Sequence, residues 1–258
     1  PALQSAVNAR ATLEEDLRQA IKGKQFRLYY QPQVERGVLI GAEALIRWLH
    51  PKKGMVLPDA FIPLAEETGL ILPLGDLVLE AACHQIAAWA GRKITHLTVA
   101  VNISALQFRQ QGFVETVLKA LESSGANPKN LKLELTESML VENIEDVIAK
   151  MTALKAHGLS FSLDDFGTGY SSLAYLKRLP LDQLKIDRAF VRDMLVDVTS
   201  GAIAQTIISL GRAMGLSVIA EGVETEEQRG FLAGLGCHAF QGMLFSPPLP
   251  LEAFEAFI

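Results

Sequence analysis

The sequence predicts an α/β barrel of the (β/α)8 kind whose first strand runs antiparallel to its neighbour. Three observations lead to it. Eight strand-like runs are spread over 258 residues, close to the ~250 such a barrel takes. Segments long enough to hold helices separate all but the first two runs, as βαβ units require. Those two are separated only by Val34–Gly37, which is hairpin length and too short for a parallel crossover.

In chain order the runs are Arg27–Gln33, Val38–Trp48, Leu97–Ile103 and Leu131–Thr136, then Leu159–Asp164, Gln183–Asp187, Leu216–Ala220 and Cys237–Phe240. Between them, Ser104 with Gln107 and Thr225 with Gln228 have the capping-box spacing that opens a helix. Gly158 and Gly215 stand where helices end, each just before a strand. The most apolar region, Val198–Ala220, is interrupted by Gln205 and Arg212 and predicts a helix followed by a strand. No uninterrupted apolar stretch approaches the roughly 18 residues of a membrane span. No low-complexity segment divides the chain.

Composition narrows the function. The chain is 49% apolar, enough for a large core, and its net charge is −5 with no cluster of Lys or Arg. Nucleic-acid binding at large is therefore disfavoured, because it rests on basic residues that neutralise phosphates. A small phosphate ester is compatible with this charge if a bound cation inverts the local sign. Cys83 and Cys237 are far apart with no ligand spacing, which predicts reduced thiols in a cytoplasmic protein.

The polar residues fall where the strand-like runs end. Val99-Ala100-Val101 runs into Asn102, Leu131-Lys132-Leu133 into Glu134, Phe161-Ser162-Leu163 into Asp164-Asp165, and Val218-Ile219-Ala220 into Glu221. Glu43 lies within the second run and Lys185 in the sixth. In a (β/α)8 barrel the C-terminal strand ends converge on one face, where the chemistry sits. Five carboxylates and an amide crowded there need a neutralising cation, and oxygen donors without His or Cys suit Mg²⁺, Mn²⁺ or Ca²⁺ rather than zinc.

Each of these residues alone has a plainer use. A carboxylate at a strand end caps a helix or joins a loop ion pair, and Glu134 between Leu133 and Leu135 suits the solvent face of an edge strand. Recurrence at most strand ends is what the plain readings leave unexplained. Asp165-Phe166-Gly167 matches the kinase metal tripeptide, but no HRD loop precedes it. Gly167-Thr168-Gly169 reads as a flexible loop near the site, and the five histidines show no paired spacing. Lys185 as a Schiff-base nucleophile is disfavoured, because neighbouring acids raise a lysine pKa.

Eight ordered motifs carry a family resemblance from about Leu13 onward. Gly41-Ala42-Glu43-Ala44-Leu45-Ile46-Arg47-Trp48 resembles the signature of the EAL domain family. Tyr30-Gln31-Pro32-Gln33, Val101-Asn102-Ile103-Ser104, Glu134-Leu135-Thr136-Glu137-Ser138 and Asp164–Ser172 agree in order, as do Lys185-Ile186-Asp187, Ala220–Thr225 and Gln241-Gly242. The resemblance implies a barrel with an antiparallel first strand and a phosphodiesterase that opens cyclic di-GMP to linear pGpG. A receptor that binds cyclic di-GMP without hydrolysis is the alternative.

Carried over by position, the resemblance implies metal ligation by Glu43, Asn102, Glu134, Asp164, Asp165 and Glu221. It implies catalytic roles for Glu221 as general base and for Lys185. Gln31, Leu45, Arg47, Asp187, Glu224 and Gln241 would contact substrate, and Glu137 would anchor the 165–172 loop. The cofactor implied is a pair of Mg²⁺ or Mn²⁺ ions, with inhibition by Ca²⁺. Members that have lost catalysis lack one or more of these acids, and none is missing here. Met243 and Pro247 stand where an aromatic and a basic residue are common, which bears on guanine packing. The resemblance also implies a homodimer, while charge and apolar-run length predict no nucleic-acid or membrane contact by this segment and cysteine usage predicts a cytoplasmic setting. Residues 1–20 would be a helix connecting to upstream cyclase or sensory domains, and residues 21–258 the barrel.

Overall fold

The computed structural model describes residues 2–140, 143–167 and 173–258, and for residues 2–9 and Leu140 the backbone only. Strand β1 (Phe26–Glu35) turns back into β2 (Val38–His50) through Arg36 and Gly37, both at positive φ (51° and 80°). Such a two-residue turn matches the twist of paired strands and explains why the gap is so short. A short β3 (Gly54–Val56) folds back on β2. The chain then alternates: β4 (Thr98–Asn102), β5 (Leu131–Thr136), β6 (Ser160–Phe166), β7 (Gln183–Ile186), β8 (Ser217–Ala220) and β9 (Ala239–Gln241). A last pair of residues, β10 (Leu249–Pro250), adds to β1.

The sheet closes in the order β1-β2-β4-β5-β6-β7-β8-β9 and back to β1. All pairs from β2 round to β9 are parallel, and β1 is antiparallel to both its neighbours. The eight strands of the barrel are the eight runs predicted, and β3 and β10 are additions too short for a sequence period to mark.

The helices are α1 (Ala2–Lys22), α2 (Ile62–Thr68), α3 (Ile71–Gly91), α4 (Ala105–Phe108), α5 (Phe113–Ser124) and α6 (Ile144–Ala156). They continue with α7 (Leu173–Leu176), α8 (Arg188–Asp193), α9 (Val198–Met214), α10 (Glu226–Leu235) and α11 (Leu251–Phe257). Region 198–220 is helix then strand, as expected, with Gly215 closing α9 in the left-handed conformation. The Thr225–Gln228 capping box forms in full. At Ser104 only half forms: the hydroxyl accepts from Gln107 N at 3.2 Å, while the Gln107 side chain packs over Gly75. Among the described helices, α3 alone is long and apolar enough to cross a membrane. It carries Asp76 and Glu80 and buries Leu74, Val78, Leu79 and Ile86 in the core.

Most of the core lies between the strands and their helices, and a second apolar cluster seals α1 onto β2. There Leu17 and Ala20 meet Phe26, Trp48 and Phe61, the last two rings edge to face at 5.7 Å. Trp48 donates to Gln25 Oε1 at 3.0 Å. His50 Nδ1 accepts from Lys52 N, so its Nε2 carries the proton donated to Asp16 Oδ2 at 3.1 Å. That bond holds the Asp16 carboxyl below its ordinary pKa. Cys83 and Cys237 are buried free thiols, each pushed up to about 12 by burial.

Candidate active site

The period of two along a strand decides what the lumen contains. On β5, Lys132 and Glu134 share a face, and on β7 so do Gln183 and Lys185. At the mouth, Lys185 reaches Glu134 Oε2 at 2.5 Å, Asp164 Oδ2 at 3.2 Å and Glu43 Oε2 at 3.7 Å, and touches Glu221 Oε1. Lys185 and Glu134 are wholly buried, and the Glu221 side chain keeps 16% exposure. Burial works against the ammonium, but Glu134, Glu221, Glu43 and Asp164 together hold its pKa well above the ordinary value.

The acids respond in the opposite sense. Burial pushes Glu134 up to about 8, with Lys185 opposing and the charges of Glu43 and Asp164 reinforcing the rise. Glu221 is raised for the same reasons, burial first. Four carboxylates around one ammonium leave three negative charges uncompensated when all are ionised.

Neighbours fix the orientation of Glu43. Asn102 Nδ2 donates to its Oε1 at 2.6 Å, and Gln241 Nε2 donates to its Oε2 at 2.5 Å. Gln241 Nε2 also reaches Gln31 Oε1 at 3.0 Å, and its own Oε1 accepts from Gln33 Nε2 at 2.9 Å. The antiparallel β1 makes this possible, since its register sets Gln31 opposite Glu43 and Gln33 opposite Gln241. Sequence reasoning missed Gln33, although the Gln31-Pro32-Gln33 alternation put it on the face of Gln31.

Other predicted residues sit around this cluster rather than in it. Asp165, in the left-handed conformation at φ 53°, hydrogen-bonds with Asp187. Its carboxyl is pushed up to about 6 by burial, by the charge of Asp164 and by that bond. Asp187 also caps α8 by accepting from Ala189 N at 2.8 Å. Leu45 and Asn102 border an apolar recess of about 340 Å³ that runs towards Ile62 and Leu74. Arg47 lies further out along β2, its guanidinium 5.8 Å from the centre of the Tyr29 ring. Glu224 is in the loop after β8, where its N–H donates to Gln228 at 2.7 Å. Buried Glu137 accepts from Gly167 N at 3.1 Å. The rest of the 165–172 loop, from 168 onward, lies outside the described residues. Met243 is 59% exposed.

The donor set fits a hard cation. One carboxylate oxygen from each of Glu43, Glu134 and Glu221 lies within 4.8 Å of the others. Glu134 Oε1 is buried without any hydrogen bond. Glu221 Oε1 has the Lys185 ammonium against it and no other partner. A buried acceptor left unpaired beside surplus negative charge is what an oxygen-ligated divalent ion satisfies.

A closed (β/α)8 barrel with an acid cluster of this kind at its mouth defines a class: barrel proteins built to hold a divalent metal against a small ligand. The chain belongs to the EAL domain family, whose family model matches residues 14–248. It is 46% identical over 259 residues to the bifunctional diguanylate cyclase/cyclic di-GMP phosphodiesterase MucR of Pseudomonas aeruginosa, covering 98% of this chain and 38% of that protein. It is 46% identical over 248 residues to the cyclic di-GMP phosphodiesterase NbdA of the same organism, covering 95% of this chain and 32% of that one. The chain thus spans about a third of the length of these relatives. Among solved structures, the MucR phosphodiesterase in complex with c-di-GMP superposes with a TM-score of 0.92 at 46% identity, covering 94% of this chain and 99% of that one.

Proposed function

We propose that this chain is a metal-dependent phosphodiesterase that hydrolyses cyclic di-GMP to linear pGpG. The observation that carries the reading is the surplus of buried carboxylate around Lys185 at the mouth of an EAL barrel. Mg²⁺ or Mn²⁺, with Ca²⁺ as inhibitor, is the cofactor this reading takes from the family. Glu43, Asn102, Glu134 and Asp164 would hold one ion, with Asp165 and Glu221 serving a second. A metal held by these residues would supply Lewis-acid polarisation of the phosphodiester and offset its developing charge.

The chain's own residues do the rest. Glu221, with its raised pKa and partial exposure, takes the proton of the attacking water as general base. Lys185 steadies that carboxylate and the charge that builds beside it. Gln241 and Asn102 keep Glu43 in one orientation. Gln31, Leu45, Arg47, Asp187, Glu224 and Gln241 line the approach for substrate, with Arg47 suited to a phosphate oxygen. Glu137, through Gly167, anchors the loop that follows Asp165.

A homodimer belongs to the same reading, as does a connecting role for α1 towards upstream cyclase or sensory domains of a longer protein. Two buried free thiols support a cytoplasmic setting.

Incubation of the purified chain with cyclic di-GMP and Mg²⁺ or Mn²⁺, with and without EDTA, tests the proposal by chromatography. It predicts pGpG in the metal-containing reactions only. Tight binding without product would instead make the chain a receptor.

A further inference from the structure

At the end of the barrel opposite the mouth, where β8 and β9 begin, lies a cavity of about 240 Å³ lined by Glu35, Arg36, Arg212, Ser217 and His238 over an apolar floor that includes Ile208. Two arginines converge there. Arg36 projects from the β1–β2 turn, which is tied down by its N–H bond to His238 O at 3.1 Å. Arg212 sits in the last turn of α9 and lies directly against the backbone of Gly236. A Cβ at Gly236 would overlap Arg212 Nη2, so glycine (φ 97°) both ends α10 and leaves the guanidinium its place.

Neither guanidinium has a protein partner, a state that among the described arginines they share with Arg188 alone, which does not line this cavity. Arg10, Arg18, Arg92, Arg178, Arg192 and Arg229 each pair with a carboxylate. Among the described residues, neither Arg36 nor Arg212 makes an ion pair or a hydrogen bond through its guanidinium. On a chain of net charge −5, two such groups facing one cavity make a local positive site. Guanidinium forks match the paired oxygens of an oxyanion. The Glu35 carboxylate on the rim disfavours a bare anion and accepts a hydrogen bond from a hydroxyl beside it. The apolar floor suits the carbon skeleton that carries such a hydroxyl.

We propose that this cavity is a second binding site, separate from the mouth, for a small phosphate monoester bearing hydroxyl groups. Arg36 and Arg212 grip its phosphate, and Glu35 accepts from a hydroxyl.

The test is a titration of the ¹⁵N-labelled chain, kept in EDTA, with ribose 5-phosphate and separately with inorganic phosphate. The site predicts saturable shifts of the Gly37, Ser217, Gly236 and His238 amides, tighter for the sugar phosphate. Binding should weaken roughly tenfold or more in Arg36→Gln, because one charge-assisted pair is lost. Arg36 stands on an exposed turn, so its variant leaves the core intact, and Arg212→Lys supplies a second check that keeps the charge but removes the fork. The proposal is overturned if those amides stay still at millimolar probe, or if both variants bind as the parent does. Equal affinity for the two probes would overturn the monoester as ligand.

Discussion

Two lumen lysines, Lys132 half-buried and Lys185 wholly buried, occupy neighbouring rungs of the same two strands, and they meet opposite surroundings. In the lower rung, Lys132 of β5 points across the lumen to Gln183 of β7, Nζ to Oε1 at 2.9 Å, with Ser162 Oγ 3.3 Å from the same oxygen. In the upper rung the roles are exchanged: Lys185 of β7 reaches Glu134 of β5 at 2.5 Å, with Asp164, Glu43 and Glu221 around it. Burial lowers the Lys132 pKa, and more distant acids only partly offset it. At Lys185 the adjoining carboxylates reverse that outcome. An ammonium facing an amide and a hydroxyl makes a closed layer. The same cation outnumbered by acids makes a place for further positive charge.

The comparison is broken most sharply by removing an acid from the upper rung. Glu43→Gln or Glu134→Gln should reduce turnover of cyclic di-GMP by about a thousandfold or more, since residues acting as a unit fail together. Steady-state rates at saturating metal check this, and near-parent activity would show that neither acid serves the metal. Glu221→Gln should lower kcat by roughly 10²–10⁴-fold with little change in KM, the range expected when a general base is lost. An unchanged kcat would remove that role.

The lower rung should behave quite differently. Lys132→Met should retain most of its turnover and cost about 1–2 kcal/mol of stability in a denaturant titration, because Gln183 loses one of its partners. A collapse of activity like that of Glu43→Gln would make both rungs one site and end the distinction. The smallest effect concerns burial with no compensating cation at all. Cys83 and Cys237, pushed up to about 12, should resist a thiol reagent at about pH 8 until the chain is unfolded. Fast labelling of the native chain would show a looser core than the one described.

Much of this was legible in the sequence because strand, helix and stop signals repeat with the barrel. Gly158 and Gly215 mark turns that only left-handed backbone makes, and the hairpin-length gap read at Val34–Gly37, two residues in the structure, forces β1 to run backwards. Strand ends announced Asn102, Glu134, Asp164 and Glu221 as neighbours because a closed barrel brings such ends together, whereas Glu43 lies inside its strand. Their contacts were not legible. Residues 43, 134, 185 and 221 meet only through barrel closure, and spacing along a chain carries no such distance. Nor was the exchange of roles between rungs, which depends on the register pairing β5 with β6 and β6 with β7. Strands of two or three residues, β3 and β10, hold too few positions to display a period.

The central claim is that surplus acid in the upper rung binds the divalent ion on which hydrolysis depends. Titration of the metal-stripped chain with Mn²⁺, followed by electron paramagnetic resonance, tests it most directly when pGpG formation is read from the same samples. The account predicts saturable Mn²⁺ binding that rises in step with hydrolysis in the parent chain, both lost in Glu43→Gln/Glu134→Gln. Equal Mn²⁺ binding by that variant, or full hydrolysis by the stripped chain, would contradict it.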